Sequence, residues 1–247
     1  MDKALYISMT GAKHNMLAQT AHSNNLANAN TTGFRADFAQ ARSMGVYYGE
    51  GMPTRAYAMT ENPATNFVPG ALIETGNELD VAIKGEGFFA VQAADGSEAY
   101  TRAGDLYTDS AGILRTGGGL AVLGSAGPIA LPPHQKVEVA SDGTLSVRGL
   151  GESATNLAQV DSLRLVNPAY DEMEKGSDGL IRLRSGENAL VDPEVQVISG
   201  FVESSNVNTI SEFTEILNLS RQYEMSVKLM KKVEENSESS ARLLSMQ

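Results

Sequence analysis

The side chains that could do chemistry are few, and the histidines come first. The chain has three histidines and no cysteine, which excludes disulfides and thiolate metal sites. His14 and His22 are eight residues apart, which places them roughly 80° apart around a helix. That separation does not make a metal-binding pair, and His134 stands alone in the sequence. We therefore expect neither a metal nor a cofactor.

Two pairs of carboxylates have a spacing that acid–base chemistry could use: Asp105 with Asp109, and Glu172 with Glu174. Glycoside hydrolysis needs two carboxyl groups at a defined separation in a cleft, and the sequence shows no such cleft. In an acidic chain the simpler interpretation is a solvated surface. No Gly-x-Ser-x-Gly elbow occurs in the sequence, so an enzyme is the weakest functional hypothesis.

The glycines Gly85 and Gly87 flank Glu86 and could suggest a phosphate-binding loop. The segment lacks the Lys and Ser or Thr of such a loop, and strand-like sequence follows where a helix would be needed. We predict a tight turn or bulge between strands, and the same for residues 117–119.

The net charge of −11 lies almost entirely in the middle of the chain. Residues 1–40 carry three basic and two acidic side chains, residues 204–247 carry five and six, and residues 41–203 carry 11 and 22. Such an acidic middle repels nucleic acid and anionic lipid. No stretch approaches the ~20 apolar residues of a membrane span, and the N-terminus lacks the pattern of a signal peptide. We expect no nucleic acid partner, no direct membrane insertion and no cleaved signal peptide.

The elements that position these side chains begin with a long N-terminal helix. Over residues 1–30, apolar and small side chains recur at alternating spacings of four and three, which is a seven-residue repeat. The helix should end near residues 28–33, where Asn, Thr and Gly favour caps and turns. The repeat consists of Leu5, Met9, Ala12, Met16, Gln19, Ser23 and Leu26.

A second long helix is predicted over about residues 207–245. Thr209 and Glu212 fit a capping box, with Asn208 as the competing N-cap. A helix of roughly 35 residues would reach ~53 Å. Its stripe at spacings of three and four consists of Ile216, Leu219, Tyr223, Ser226, Met230, Val233, Ser237, Ser240 and Leu244.

The region between the helices has the pattern of antiparallel β structure. Leu79, Val81 and Ile83 alternate with other residues, as in a half-buried strand. Further short apolar runs follow at intervals of 8–12 residues, several of them separated by Asp-Gly turns. This spacing indicates an antiparallel sandwich or barrel. Residues 35–75, punctuated by Gly and Pro, are predicted to form an extended connector.

The predicted fold class is mixed α and β, with long N- and C-terminal helices pairing as a coiled-coil core and an inserted antiparallel all-β domain. The predicted divisions are a core helix with its Asn-rich end at 1–34, a connector at 35–75, an outward-facing β domain at 76–203 and a C-terminal core helix at 204–247. Each helix has one narrow apolar stripe, so the ends should gain order from other chains. An intramolecular coiled-coil stalk on a soluble β domain stays equally open.

Several blocks of sequence resemble the family of flagellar rod and hook proteins. They read Asn-Asn-Leu-Ala-Asn-Ala-Asn-Thr-Thr-Gly-Phe-Arg at 24–35, Thr-Gly-Asn-Glu-Leu-Asp-Val-Ala-Ile at 75–83, Gly-Glu-Gly-Phe-Phe at 85–89, Tyr-Thr-Arg-Ala-Gly at 100–104 and Ser-Asn-Val-Asn at 205–208. Within the family, residues 1–12, 127–132 and 243–246 resemble the proximal-rod members. The distal-rod paralogue is the alternative, although its Arg-Ala-Tyr-Glu is replaced by Arg-Gln-Tyr-Glu at 221–224.

The resemblance implies a structural subunit of the basal-body rod, polymerising through its terminal helices into a hollow, torque-transmitting drive shaft. It implies export by the flagellar type III apparatus without cleavage, and a periplasmic location in the basal body. The implied partners are copies of the chain, other proximal and distal rod subunits, the export apparatus and the surrounding rings. The competing hypothesis is a secreted adaptor that does not polymerise.

We expect the contacts between subunits to involve the Asn-rich segment and one face of each helix. Tyr223 would pack on an N-terminal helix, and Arg221 would pair with a carboxylate there. The predicted interface residues are Leu5, Met9, Met16, Asn24, Asn25, Leu26, Asn28, Gly33, Phe34, Asn206, Asn208, Phe213, Leu217, Arg221, Tyr223, Val227 and Met230.

Overall fold

The structure of the protein is a computed structural model, and its described part forms two compact units. The helical unit comprises the described parts of Met1–Ala29, Ala36–Asn66 and Val207–Gln247, and the β unit comprises those of Asn30–Arg35 and Phe67–Asn206. The described residues are 3–38, 41–45, 56–60, 64–149, 151 and 157–245.

Two long helices dominate the helical unit, as the sequence predicts. Helix α1 spans Lys3–Ala27 and helix α2 spans Thr209–Ser245. Asn208 provides the N-cap of α2, because its Oδ1 accepts hydrogen bonds at 3.1 Å from the N–H groups of both Ile210 and Ser211. The predicted capping box of Thr209 and Glu212 is therefore wrong: Thr209 is the first residue of α2, and the Glu212 side chain contacts His22 of α1 instead.

Four short strands complete the described part of the helical unit. Strands β1 and β4 pair with each other, as do β2 and β3, both antiparallel. They come from the region predicted as an extended connector, of which residues 39–40, 46–55 and 61–63 lie outside the described residues. Their bounds are Asp37–Phe38 (β1), Ala41–Gly45 (β2), Ala56–Thr60 (β3) and Ala64–Thr65 (β4).

The β unit is built from antiparallel strands, which confirms the prediction of a large β domain between the helices. A short 3-10 helix spans Tyr170–Glu172. The strands are Leu72–Glu74 (β5), Val81–Lys84 (β6), Phe88–Gln92 (β7), Glu98–Thr101 (β8), Leu106–Thr108 (β9), Leu114–Thr116 (β10), Ala121–Val122 (β11), His134–Val139 (β12), Thr144–Gly149 (β13), Ala158–Ser162 (β14), Leu165–Val166 (β15), Met173–Lys175 (β16), Ile181–Leu183 (β17), Gln196–Ser199 (β18) and Phe201–Glu203 (β19).

The main sheet has eight strands, in the order β16-β17-β8-β7-β11-β10-β9, with β15 also paired to β7. Strands β12, β13 and β14 form a second sheet. The ribbons β18–β6 and β19–β5 bring the strands that precede α2 against the start of the β unit.

Strand β7 lies at the centre of the β unit and is buried on both faces. Phe89 and Val91 point into the larger apolar core. Phe88 and Ala90 point into a second core on the opposite face. Burial on both faces explains why this strand reads as an unbroken apolar run and not as an alternating one.

The predicted turns are present in the β unit. Gly85 and Gly87 lie between β6 and β7 with φ of 92° and 122°, so this segment is a turn between strands, as predicted. At the Asp-Gly turn of the β7–β8 hairpin, Asp95 Oδ1 accepts hydrogen bonds from the Ser97 N–H at 2.9 Å and from its hydroxyl at 2.6 Å. These bonds lower the pKa of Asp95.

Candidate subunit interface

The two long helices pack against each other in antiparallel directions within the helical unit. The last turns of α1 lie beside the first turn of α2, where His22 Nδ1 is 2.6 Å from Glu212 Oε2. The side chains of His22 and Glu212 are 18% and 15% exposed, so this polar contact is largely shielded from water. It fixes which turn of α1 meets which turn of α2.

Asn25, from the Asn-rich segment, is buried at this junction. Its Nδ2 donates to the Asp37 carbonyl at 2.8 Å, and its Oδ1 accepts from the Asp37 N–H at 2.9 Å. Nδ2 also lies 3.4 Å from Glu212 Oε2. One side-chain amide thus joins α1, β1 and α2 and satisfies polar groups that would otherwise be buried without partners. A role for Asn25 between subunits stays a prediction.

The inner side of α1 matches only half of the predicted repeat. Leu5, Ala12, Gln19 and Leu26 are buried or half-buried, whereas Met9, Met16 and Ser23 are exposed. Ser8, Asn15 and His22 take the intervening positions on the inner side. Small side chains allow close approach of the helices, and the Ser8 hydroxyl is satisfied by the Ala4 carbonyl at 2.9 Å.

The inner side of α2 follows the predicted stripe more closely. Between Ile216 and Val233, Tyr223 is the stripe residue that is exposed, at 40%. Val233 is the most buried side chain of α2 among the described residues, at 9% exposed. The stripe residues that are buried or half-buried are Ile216, Leu219, Ser226, Met230 and Val233.

Large apolar side chains also lie on the exposed surfaces of both helices, which we call the outer faces. Met16 is 62% exposed and Phe213 is 54% exposed. Helices with apolar side chains on more than one side are normally buried, so the outer faces are suited to contact other protein surfaces. They comprise Tyr6, Met9, Met16 and Leu17 on α1, and Ile210, Phe213, Leu217, Tyr223, Met225, Val227, Leu229 and Leu243 on α2.

Helix α2 extends further than α1 can cover. It has 37 residues against 25 in α1, so about 18 Å of α2 has no counterpart in α1 at 1.5 Å per residue. The side chains of residues 234–243 are all exposed. This overhang presents a second helical surface without cover from α1.

The predicted interface residues fall into several groups. Met9, Met16, Phe213, Leu217, Tyr223 and Val227 belong to the outer faces. Leu5, Leu26 and Met230 lie half-buried on the inner sides, and Asn24 and Arg221 are exposed. Asn28 Nδ2 bonds the Asn24 carbonyl at 2.9 Å and so closes the end of α1. The remaining predicted residues are Asn25 and Asn208, described above, and Gly33, Phe34 and Asn206, which belong to the β unit.

In the β unit, Gly33, Phe34 and Asn206 hold the chain segment that follows α1 against the segment that precedes α2. The Gly33 N–H donates to the Glu203 carbonyl at 2.8 Å, and the Asn206 N–H donates to the Phe34 carbonyl at 3.3 Å. Lys175 Nζ lies 4.0 Å from the centre of the Phe34 ring, which is cation–π distance. The two segments are therefore paired through their backbones.

Beneath these backbone bonds lies a buried charge cluster that sequence reasoning missed. Arg35, Arg102 and Glu203 are 2%, 3% and 1% exposed. Arg102 Nη1 donates to Glu203 Oε2 at 2.8 Å, and Arg35 Nη1 forms an ion pair with Glu203 Oε1. Burial lowers the pKa of the Arg102 guanidinium, while the Glu203 carboxylate acts in the opposite direction. The sequence feature that could have indicated this cluster is Glu203, a carboxylate that directly follows an apolar run.

The carboxylates that could have done acid–base work lie in different settings. Asp109 accepts bonds from Arg115 Nε at 2.7 Å and from the N–H groups of Ala111 and Ile113, and these lower its pKa. Burial raises the pKa of Asp105, and the neighbouring Asp80 raises it further. The Asp109 carboxylate therefore stabilises a turn, whereas Asp105 is half-buried and has Asp80 as a charged neighbour.

Two of the three histidines, His22 and His134, make structural contacts. His134 Nδ1 lies 2.8 Å from the Pro132 carbonyl, and His22 contacts Glu212. Within the described ranges, no three His, Cys, Asp or Glu side chains are grouped so that they could hold a metal ion. The helices in that part of the chain also include none that is long and apolar enough to cross a bilayer.

Two terminal helices that pack together and expose apolar side chains, with a β unit inserted between them in the sequence, are typical of a structural protein. Comparison with known proteins identifies the family. Residues 5–35 match the family described as flagella basal body rod protein, residues 82–147 match the flagellar hook protein FlgE/F/G D1 domain, and residues 198–243 match the flagellar basal body rod FlgEFG protein C-terminal family.

Curated relatives agree over the whole chain. The flagellar basal-body rod protein FlgF of Escherichia coli is 38% identical, and that of Salmonella typhimurium is 36% identical, each over 100% of both chains. FlgG of Agrobacterium fabrum is 31% identical over 94% of this chain and 96% of its own. The protein belongs to the flagellar basal-body rod protein family, whose members are structural and not enzymes.

Proposed function

We propose that this protein is a subunit of the proximal part of the flagellar rod and that it polymerises through α1 and α2. The observation that carries the proposal is the outer face of each helix, where side chains such as Met16 and Phe213 are more than half exposed. Burying such side chains stabilises an interface by roughly 25 cal/mol for each Å² of apolar surface removed from water. Neighbouring subunits are the natural source of that cover.

The overhang of α2 supports the same proposal. Head-to-tail contacts between identical surfaces build open helical filaments when the rotation does not close. An overhang that α1 of the same chain leaves uncovered can pack on the helices of the next subunit along the axis. The pairing of α1 with α2 would then continue as a coiled-coil core through the filament, with the acidic β unit facing outward.

The further partners follow from the family. We propose that the chain assembles with other rod subunits inside the surrounding basal-body rings, in the periplasm. We also propose that it travels there through the flagellar type III export apparatus without cleavage. Helices that complete their packing only in the assembly suit such a route, because little folding free energy opposes their passage through a narrow channel.

The absence of cysteine allows a direct test by cross-linking. Lys13→Cys and Thr214→Cys place single thiols at exposed positions beside the outer-face residues of α1 and α2, and Ser110→Cys places a control thiol on an exposed turn of the β unit. With a short reagent that couples a thiol to an amine in cells, the pair Lys13→Cys/Thr214→Cys should form covalent oligomers that co-purify with basal bodies. The control should form none of those oligomers.

The same experiment distinguishes the alternatives. A non-polymerising adaptor would stay monomeric at every concentration and would give no cross-links to axial components. A distal-rod paralogue would form cross-links, but mass spectrometry of the products would identify distal neighbours. Either result would overturn the proposed proximal position.

A further inference from the structure

The chain passes between the helical unit and the β unit four times, at residues 29–30, 35–36, 66–67 and 206–207. On the β unit these passages end in three short segments, which we call the crossing segments: residues 30–35, 67–70 and 203–206. Any force between the two units that travels along the chain must pass through them. How they are held on the β unit therefore bears directly on a protein that works under load.

All three crossing segments are bonded to one another through Glu203 and Asn206. The Glu203 carbonyl accepts from the Gly33 N–H at 2.8 Å, and Glu203 Oε1 accepts from the Gly70 N–H at 2.8 Å. Asn206 Nδ2 donates to the Val68 carbonyl at 2.9 Å. The segments thus form one bonded layer on the β unit.

The crossing segments are also closely packed at two glycines, Gly33 and Gly70. Gly33 has a φ of 66°, and a Cβ built there would overlap the backbone of Arg102 and Ala103. A Cβ on Gly70 would overlap the Ser204 carbonyl. The backbones of the crossing segments therefore touch each other or the end of β8 with no room for a side chain.

The charges beneath this layer are not arranged for maximal stability. Two guanidinium groups converge on the single Glu203 carboxylate. In the part of the chain that the structure describes, no nitrogen of Arg35 has a hydrogen-bond acceptor in good geometry, and Arg102 Nε has none. Buried Arg–Glu–Arg clusters are often no more stabilising than apolar replacements, whereas removal of one member is costly. A cluster of this kind is better explained by what it positions.

We propose that Arg35, Arg102 and Glu203 form a latch that fixes the crossing segments on the β unit. These segments then do not shift on the β unit when load passes along the chain between the two units. The three residues are positioning residues for rod function and not the source of the β unit's stability. Arg35 lies in the crossing segment that follows α1, and Glu203 lies in the crossing segment that precedes α2. Arg102 lies outside the crossing segments, in the body of the β unit. The proposal rests on the proposed function as a rod subunit.

The first experiment uses the purified full-length chain and does not depend on rod function. Glu203→Gln keeps the side-chain shape but leaves two buried cations without an anion. Amide hydrogen exchange of the crossing segments should accelerate by at least ~10-fold, while the amides of β7 and β8 keep their protection. Asp178→Asn is the matched control, because it removes a comparable Arg–carboxylate pair with Arg182 on the surface of the same unit, at 2.7 and 3.0 Å.

The second experiment separates positioning from stability in motile cells. The triple variant Arg35→Met, Arg102→Leu and Glu203→Leu replaces the cluster by apolar side chains of similar volume. We expect its β unit to unfold at the same or a higher denaturant concentration, while swimming is lost or the motor slips under viscous load. Asp178→Asn should swim normally.

The experiments on the latch and the cross-linking test of the proposed function can fail independently of each other. If the crossing segments of Glu203→Gln exchange no faster than in the native chain, or if the triple variant swims normally under load, the latch is wrong. If the chain with Lys13→Cys and Thr214→Cys, and with Arg35, Arg102 and Glu203 unchanged, does not cross-link to axial components, the rod assignment fails, whatever the exchange rates show.

Discussion

His22 on α1 and Glu212 on α2, separated by 190 positions in the chain, meet at 2.6 Å. The contact sits where α1 ends and α2 begins, and it fixes the register of the helix pair. Because both side chains are mostly shielded, the contact should be worth more than a solvent-exposed pair.

We expect Glu212→Ala to lower the free energy of unfolding of the helix pair by about 1 kcal/mol. A double-mutant cycle with His22→Ala, followed by urea denaturation and helical circular dichroism, isolates the coupling between the two side chains. Glu215→Ala, exposed on the same helix, is the control and should change little. Additive effects of the two single substitutions would mean that the contact contributes nothing to the stability of the helix pair.

Exposed and buried apolar residues of α2 should behave in opposite ways. Phe213→Ser removes an outer-face side chain, so the free energy of unfolding of the monomer should stay within about 0.5 kcal/mol of the native value while rod assembly fails. Val233→Ala truncates a buried side chain and should destabilise the helix pair by about 1–2 kcal/mol. Urea denaturation and electron microscopy of basal bodies measure the two effects. Normal rods with Phe213→Ser would argue against the outer face as an interface.

Gly33 offers a matched test of close packing. Gly33→Ala combines a positive φ with overlap on the Arg102 backbone, so we expect a loss of more than about 2 kcal/mol in the stability of the crossing segments. Gly76 has a similar φ of 72° but open space around its Cβ position, and Gly76→Ala should cost only about 1 kcal/mol. Thermal unfolding and local hydrogen exchange compare the two. Equal effects would show that φ alone, and not packing, constrains Gly33.

The interior of α2 should not tolerate proline, although its first residue should. Ser226→Pro breaks the helix in the middle at a cost of about 3 kcal/mol, so we expect loss of rod assembly with a β unit that still folds. Thr209→Pro lies directly after the N-cap Asn208, where the missing N–H is not needed, and should assemble normally. Motility and protease resistance of the β unit are the measurements. Motility in cells carrying Ser226→Pro would contradict assembly through α2.

Asp105 gives the stability of the β unit a defined dependence on pH. Burial raises the pKa of Asp105 in the folded state, so its favourable contribution is complete below the unfolded pKa of about 3.9 and is lost as the pH rises through the folded pKa. Asp105→Asn removes this pH-dependent loss of stability, because an amide does not ionise. We expect the variant to exceed the native chain in stability by a margin that grows between pH 4 and pH 7, measured by urea denaturation. A constant margin over that range would contradict the raised pKa.

Local patterns in the sequence were sufficient for most of the secondary structure. The repeat of three and four residues predicts both long helices, because the period of an α-helix and the absence of Pro are properties of adjacent residues. The Asp-Gly turns and the short strands around β7 are predicted for the same reason, whereas Asn208, the N-cap in the structure, is only the competing candidate beside the predicted capping box. The sequence predicts only about half of the α1 residues that face α2. Met9 and Ser8 both fit a repeat of three and four residues, so the repeat cannot choose between them. The packing of α2 against α1 places the smaller residue, Ser8, on the inner side.

What the sequence by itself determined is the list of elements, the acidic middle and the family. The tertiary structure alone decided which polar groups meet: His22 with Glu212, Asn25 with Asp37, and Arg35 and Arg102 with Glu203. These partners are between 12 and 190 positions apart in the chain. No local period relates residues at such separations, and their pairing follows from the burial of charged and amide groups that must be satisfied once the units have folded.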